Sequence, residues 1–391
     1  MISRYMKEKL SGGSVIRAMF EAGAKMRKER GDENVFDFSL GNPALELPSE
    51  ITEAVKRLSD EPGIHAYMPN AGYADVRTAI ATDYNRRFDT KLMAEDLVMT
   101  VGAAGALNVF LKTVINPGDE IIVPAPYFVE YGFYAENVGA ILRVVPTDAN
   151  FRPDMDALRA AVTSKTKVLI TNSPNNPTGV VYTADELSAI AEILTDAPHT
   201  VYWISDEPYR EIIYDDAVQA SIFNYYRNSV VAYSYSKSLS LPGERIGYLA
   251  VHPDIDDGDD MRRALVTANR ILGFVNAPAL FQRLVGMYPG MTCDTTFYKR
   301  NRDLLLGVMD RCGFHYTRPE GAFYLFVDAP VPDEAAFCAR AMDFGLLMVP
   351  SSAFGVPGRV RLAYCVAPDM IRRSEQAFWG LASAYGLAGR Q

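Results

Sequence analysis

A chain of 391 residues, 49% hydrophobic and 22% charged, is long enough for two packed domains and too apolar for a disordered polypeptide. Its 39 basic and 48 acidic residues give a formal net charge of −9, which argues against nucleic acid or an anionic membrane as the main partner. Cys293, Cys312, Cys338 and Cys365 are too scattered for a paired zinc site and too few for a disulfide framework, so a reducing compartment is expected.

Residues 1–10 carry Arg4, Lys7, Glu8 and Lys9 without an apolar core, so no secretory signal is expected there. No run approaches the roughly 18 apolar residues of a membrane span, and cytoplasm is the expected location. Residues 98–101, 120–123, 167–171, 200–205 and 229–234 read as strands. Residues 103–114 and 183–195 read as helices, the second opened by Thr183 and Glu186 at capping-box spacing. This alternation predicts an α/β fold, a mostly parallel sheet sandwiched by helices in a large domain. The acidic stretch 254–260 reads as a solvated connection. Further on, residues 298–312 predict a long helix. Short strands at 322–327, 346–349 and 360–364 surround a helix at 334–344, which predicts a smaller α+β domain. The expected division is an N-terminal segment, 1–45, joining the small domain, then a large domain at 46–285 and the small C-terminal domain at 286–391.

Polar residues with chemical potential gather where the predicted strands end, the edge where open α/β sheets bind ligands. Residues 100–105, Thr-Val-Gly-Ala-Ala-Gly, join a strand to a helix whose first N–H groups suit a phosphate. The loop from Asn172 to Gly179 is punctuated by proline and glycine. Asp206 follows the apolar run 201–205 and precedes Tyr209. A buried carboxylate in that position can keep a heteroaromatic ring nitrogen protonated. The richest segment runs from Val231 to Gly247. Lys237 lies just past a strand between Ser236 and Ser238, with Arg245 eight residues on. Serine hydroxyls and a guanidinium suit a bound phosphate, and a lysine beside positive charge loses its proton more easily and can attack a carbonyl.

Together with 36–43, 65–72, 126–131, 319–324 and 360–364, these segments resemble the class I and II aminotransferases, fold-type I enzymes that use pyridoxal 5′-phosphate (PLP). The resemblance covers almost the whole chain. It implies that Lys237 bonds to the cofactor and then moves the substrate's α-proton, that Asp206 partners the pyridine nitrogen, and that Asn176 and Tyr209 partner the ring hydroxyl. It implies phosphate ligands at Ser234, Ser236 and Arg245 and at the backbone of Ala103 and Ala104, with Phe128 stacked on the ring. Tyr67 matches a tyrosine that reaches the neighbouring subunit's phosphate, which implies a homodimer with shared sites. Arg361 matches the arginine that grips the substrate α-carboxylate, Gly41 matches a backbone contact to the same group, and Asn176 lies beside both. Arg359 lies two residues from Arg361 on the same strand face, but Arg361 heads the matching Arg-Leu-Ala-Tyr segment.

Two departures stand out. Ala104 replaces a hydroxyl residue of many relatives, and Ser351 replaces a glycine. The expected reaction moves an amino group between an L-amino acid and a 2-oxo acid. Aspartate-type substrates would call for an extra arginine, with Arg270 a candidate and Arg17 a weaker one, while aromatic and aliphatic substrates stay open. Another PLP reaction on the same scaffold (a C–S lyase, racemase or decarboxylase) is the nearest alternative. A PLP-binding regulator would need an added DNA-binding extension, and a nicotinamide dehydrogenase would need a G-x-G-x-x-G after its first strand, a pattern this chain lacks.

Overall fold

The computed structural model describes residues 2–12 and 15–387. Its main feature is a seven-stranded sheet. The strands are β1 (Leu97–Thr100), β2 (Glu120–Pro124), β3 (Ile141–Val145), β4 (Thr166–Asn172), β5 (Tyr202–Asp206), β6 (Ser229–Ser234) and β7 (Gly247–Val251). Their spatial order is β1-β7-β6-β5-β4-β2-β3. Pairs from β3 across to β6 are parallel, while β7 runs antiparallel to both β6 and β1. Two reversals cancel, so β1 points the same way as β6 and its carboxyl end reaches the same edge. The sequence reading missed β3 and β7. The first lies at the sheet edge, and most of it faces solvent, so its residues lack clean alternation. The second is a short apolar run directly after the polar loop that ends at Arg245.

Strands β5 and β6 are buried on both faces, which explains their continuous apolar runs. One face packs Ala106, Leu107 and Phe110 of helix Gly102–Val114 on Ile121, Ile204, Val230 and Leu249. The other face packs Met99, Ile122, Leu169, Trp203 and Val231 against helix Ala184–Thr195 and its neighbours. That helix opens with the expected capping box, in which the Thr183 hydroxyl accepts from the Glu186 amide and Glu186 accepts from the Thr183 amide. Just after β5 the chain turns, and a buried ion pair anchors the turn. Arg210 Nε donates to Glu207 at 2.6 Å, and its Nη1 donates to the Tyr248 hydroxyl at 2.8 Å.

A second, antiparallel sheet is ordered Val349–Pro350, Arg359–Ala363, Tyr324–Asp328, Tyr316–Thr317. Helices Thr296–Cys312 and Pro368–Ala384 supply much of its core, and Phe36 and Phe38 complete it. Segment Phe36–Asp37 pairs in parallel with Leu346–Leu347, tying the N-terminal part of the chain to this sheet. The expected strand 346–349 is therefore two pieces in two sheets. The acidic stretch 254–260 is also not wholly a loop. Helix Gly258–Ile271 begins inside it, with Asp259 and Asp260 in the first turn, where negative charge is favourable.

The strand ends converge tightly at β7. A Cβ on Gly247 would lie 2.2 Å from the Tyr233 carbonyl oxygen and 2.9 Å from the Gly102 Cα. No side chain fits there without moving β1 or β6. Gly247→Ala should therefore destabilise the protein by about 3 kcal/mol, the upper part of the overpacking range. Urea unfolding measures this, and an unchanged midpoint would contradict the register of β7.

Candidate active site

The carboxyl ends of β1, β4, β5 and β6 frame a cavity of about 290 Å³, walled further by Phe128 and Tyr134 after β2, Arg245 before β7, and Gly41, Tyr324 and Arg361. Of the residues singled out from the sequence, Gly41, Ala103, Ala104, Phe128, Asn176, Asp206, Tyr209, Ser234, Ser236, Lys237, Arg245 and Arg361 all line it.

Lys237 lies on the short helix Tyr235–Ser238, directly after β6. Its Nζ donates to the Gly41 carbonyl at 2.7 Å. Burial lowers its pKa to about 8, and the nearby Arg245 and Arg361 push the same way. Asp206 ends β5, and its Oδ2 accepts a 2.6 Å hydrogen bond from the Tyr131 hydroxyl. Burial raises its pKa to about 7. Its Oδ1 is buried without a partner. An unpaired buried carboxylate oxygen costs free energy until a donor arrives, and a pyridinium N–H supplies that donor. The loops on either side are cross-braced by Asn172. Its Nδ2 donates to the Asp206 carbonyl at 2.8 Å, and its Oδ1 accepts from the Asn176 amide at 2.7 Å.

At the opposite end of the cavity, the Ser234 and Ser236 hydroxyls are 2.7 Å apart. Arg245 holds its guanidinium beside the start of helix Gly102–Val114 through Nη1 to the Pro242 carbonyl at 3.0 Å and Nη2 to the Val101 carbonyl at 3.2 Å. The first amides of that helix lack intrahelical acceptors. Hydroxyls, a guanidinium and free N–H groups together make a cup of the kind that suits a phosphate.

Arg361 closes the third side. It is only 2% exposed. Its Nη1 donates to Asn176 Oδ1 at 3.1 Å, and its Nη2 donates to the Ser39 carbonyl at 2.6 Å. Its Nε has no partner. Among the described residues no carboxylate forms an ion pair with it, although a buried cation normally requires one. Arg359, two residues away, pairs with Asp328 at 2.9 Å over the Phe151 ring and does not line the cavity. Ser351 is buried behind it, its Oγ accepting from the Arg359 amide at 2.8 Å.

Tyr67 and Arg270 stand apart. Tyr67 is 94% exposed and borders a different cleft, with Tyr73, Arg283 and Met287. Arg270 is exposed in the last turn of helix Gly258–Ile271. The side chain of Arg17 lies outside the described residues. Sequence reasoning did not single out Tyr131, Tyr134, Asn172 or Tyr324, all buried or half-buried at the site. Tyr131 and Tyr324 lay inside matched segments, but only the three-dimensional contacts give them partners.

The fold and cavity define a fold-type I enzyme, and the cofactor is pyridoxal 5′-phosphate. The chain belongs to the aminotransferase class I and II family, whose profile matches residues 33–377. It is 32% identical to a probable aspartate/prephenate aminotransferase of Thermus aquaticus over 87% of this chain and 89% of that one. It is 30% identical to the aspartate/prephenate aminotransferase of Thermus thermophilus, with the same shares covered. Among solved structures, an amino transferase from Eubacterium rectale superimposes with a TM-score of 0.95 at 40% identity, covering 99% of this chain and all of that one. The aspartate aminotransferase of Thermus thermophilus with maleate gives 0.85 at 26% identity, covering 97% and 99%. The protein is an aminotransferase that moves an amino group between an L-amino acid and a 2-oxo acid.

The Lys237 environment has a measurable consequence. Only the neutral amine attacks a carbonyl. Capture of PLP by the cofactor-free protein should quicken about tenfold per pH unit below pH 8 and level off above it, as the fraction of neutral amine dictates. Stopped-flow absorbance reads the rate. A profile still climbing at pH 9.5 would show that Lys237 is not desolvated.

Proposed function

We propose that this aminotransferase holds PLP in the cavity described above and acts on aspartate-type amino acids and 2-oxoglutarate-type acceptors, as a cytoplasmic homodimer. The observation that carries the amino-acid and 2-oxo-acid reading is Arg361, a buried guanidinium with an unpartnered Nε and no carboxylate partner among the described residues, while the aspartate-type preference rests on the relatives' names. A substrate α-carboxylate supplies the missing charge, and a planar fork binds it through two hydrogen bonds.

Bound PLP supplies an electron sink for the charge left at the substrate α-carbon. In this reading Lys237 holds the cofactor, then takes the α-proton and returns it. Asp206 keeps the pyridine nitrogen protonated through its open oxygen. Asn176 and Tyr209 hold the ring oxygen, and Phe128 packs on the ring face. Ser234, Ser236, Arg245 and the amides of Ala103 and Ala104 hold the phosphate, with one hydroxyl fewer than a serine or threonine at position 104 would give. Gly41 lies beside the α-carboxylate position. We also read the chain as a large cofactor-binding body over 46–285 and a small one over 286–391 joined by 1–45, with Arg361 reaching in from the latter.

The lining cations are Lys237, Arg245 and Arg361, and each already has a role. A distal carboxylate therefore needs a cation from outside this lining. Arg270 lies on a surface that also carries Tyr67. Segments 69–70 and 275–276 are hydrogen-bonded to each other there, through Asn70 Nδ2 to the Val275 carbonyl at 3.2 Å and Asn276 Nδ2 to the Pro69 carbonyl at 2.9 Å. Tyr67, Ile271 and Leu272, a few residues ahead of these segments in the chain, are exposed. A two-fold dimer built on this surface would carry Tyr67 and Arg270 toward the second site.

A half-reaction screen tests the function. Each amino acid is mixed with the PLP enzyme and the loss of cofactor absorbance followed, then a 2-oxo acid is added. Recovery only with a 2-oxo acid, fastest for aspartate and glutamate, is expected. Turnover with no 2-oxo-acid requirement would point instead to a lyase, racemase or decarboxylase. Arg361→Lys should raise KM about tenfold or more for every amino acid and 2-oxo acid alike, since lysine keeps the charge but loses the fork. A rise confined to dicarboxylic substrates would make Arg361 a reader of the side chain instead.

Complementation tests the shared site. Lys237→Ala and Tyr67→Asp homodimers, each inactive, are unfolded and refolded as a mixture. If Tyr67 acts across the interface, each mixed dimer has one intact site, and up to roughly a quarter of wild-type activity returns under random pairing. If it acts within its own subunit, every site keeps a lesion and no activity returns.

A further inference from the structure

Tyr324 is buried between the two ends of the substrate site. It begins strand Tyr324–Asp328, and Phe326 lies directly opposite Arg361 in the neighbouring strand. Two residues along a strand return to the same face, so Tyr324 and Arg361 share a face of the sheet. The Tyr324 ring packs on the Arg361 guanidinium, 4.5 Å from centroid to carbon. Its hydroxyl lies 2.9 Å from the Tyr209 hydroxyl. The contact on its third side is equally close, because a Cβ on Gly41 would lie 2.0 Å from the Tyr324 oxygen. Position 41 therefore admits only glycine while Tyr324 keeps this pose.

We infer that Tyr324 is a positioning residue that orients both the Arg361 fork and the Tyr209 hydroxyl, linking the carboxylate-binding and cofactor-binding ends of the site. The inference rests on the roles proposed for Arg361 and Tyr209.

The direction of the phenol pair follows from proton counting. Each hydroxyl has one proton. Tyr209 can donate onward to the cofactor's ring oxygen only if it accepts from Tyr324. In that arrangement Tyr324 polarises Tyr209 and makes it a better donor. A weaker donor at Tyr209 leaves the ring oxygen more basic, so the bound chromophore keeps its proton to higher pH. The ring of Tyr324 does separate work. Its face covers the guanidinium, which the Phe354 ring also approaches at 4.9 Å, and limits rotation of Arg361, whose buried Nε has no partner.

Two substitutions in the PLP-loaded enzyme separate these effects. Tyr324→Phe keeps the ring and loses the hydroxyl. It should raise the midpoint of the cofactor's absorbance titration by a few tenths of a pH unit, roughly the size of a lost cooperative hydrogen bond, and leave KM within about twofold because the cation–π contact remains. Tyr324→Leu loses both. It should shift the midpoint equally and raise KM, and the inhibition constant of a 2-oxo acid, about tenfold, between the values of an exposed and a desolvated cation–π contact, since the Phe354 ring stays beside the guanidinium. Tyr324→Met replaces leucine if that variant fails to fold. An unmoved midpoint in Tyr324→Phe, or an unmoved KM in the leucine or methionine variant, overturns the inference. Arg361→Lys and Tyr209→Phe serve as controls. If they shift KM and the midpoint while the Tyr324 variants do not, the inference alone fails. If the controls move neither quantity, the underlying roles fail and the inference falls with them.

Discussion

Everything at this site depends on charge taken out of water before a ligand arrives. Arg361 is buried with no described carboxylate partner, Asp206 has an unpaired oxygen, and Lys237 is held partly neutral. Each costs free energy in the empty protein. The signs follow from linkage. Asp206, raised to about 7, favours the folded state below the ordinary carboxylate range, and that advantage is lost as pH rises through 7. Lys237, lowered to about 8, favours folding above the ordinary lysine range, and that advantage is lost as pH falls through 8. Near neutral pH the empty site is therefore poorly served by both groups. A pyridine nitrogen, a carbonyl and a carboxylate relieve all three at once, which couples cofactor binding to stability.

The remaining architecture keeps those groups from relaxing into ordinary pairs. Lys237 is tied to Gly41, Arg361 to Ser39 and Asn176, and Asn176 to Asn172. All but the last pair are distant in sequence and join different elements. The parallel pairing of Phe36–Asp37 with Leu346–Leu347 holds the N-terminal segment where Ser39 and Gly41 can reach the cavity. The reversed strand β7 does the same for the phosphate cup, because it lets β1 run with β6 and sets Gly102 beside Arg245. Contrast Arg302, also fully buried, which pairs with Asp215 and Asp303. That arginine is satisfied within the chain and has no charge to offer a ligand.

Much of this was legible in the sequence because the reactive groups sit at local punctuation. Lys237 and Asp206 each follow an apolar strand, and Asn176 lies in a proline-rich loop. The capping box at Thr183 and the helix 298–312 depend on neighbours three or four residues away, so spacing reveals them. What the sequence did not show depends on distant contacts. Strand β7 looks like a continuation of the polar loop until its pairing with β1 is known. Tyr131 is an aromatic among aromatics until its hydroxyl meets Asp206, and Tyr324 is one until its ring meets Arg361. The acidic stretch near residue 257 was read as a loop because charge density hides a helix start, although acidic residues belong in a first turn.

The placement of Tyr67 and Arg270 follows a different logic. Both were singled out for chemistry, and both lie away from the cavity, on segments hydrogen-bonded to each other. Within one chain neither has access to the site, and a phenol exposed on nearly its whole surface is an unfavourable place to leave an aromatic ring. Under the proposed roles, the cavity's own cations are taken by the cofactor and the α-carboxylate. Under the proposed function, reading the far end of a substrate falls to residues outside the cavity lining. Such residues can change without disturbing Lys237, Asp206 or Arg361. If the proposed dimer holds, that separation gives a physical route by which one scaffold serves different amino acids, with the chemistry fixed inside the subunit and selectivity set where a second surface meets it.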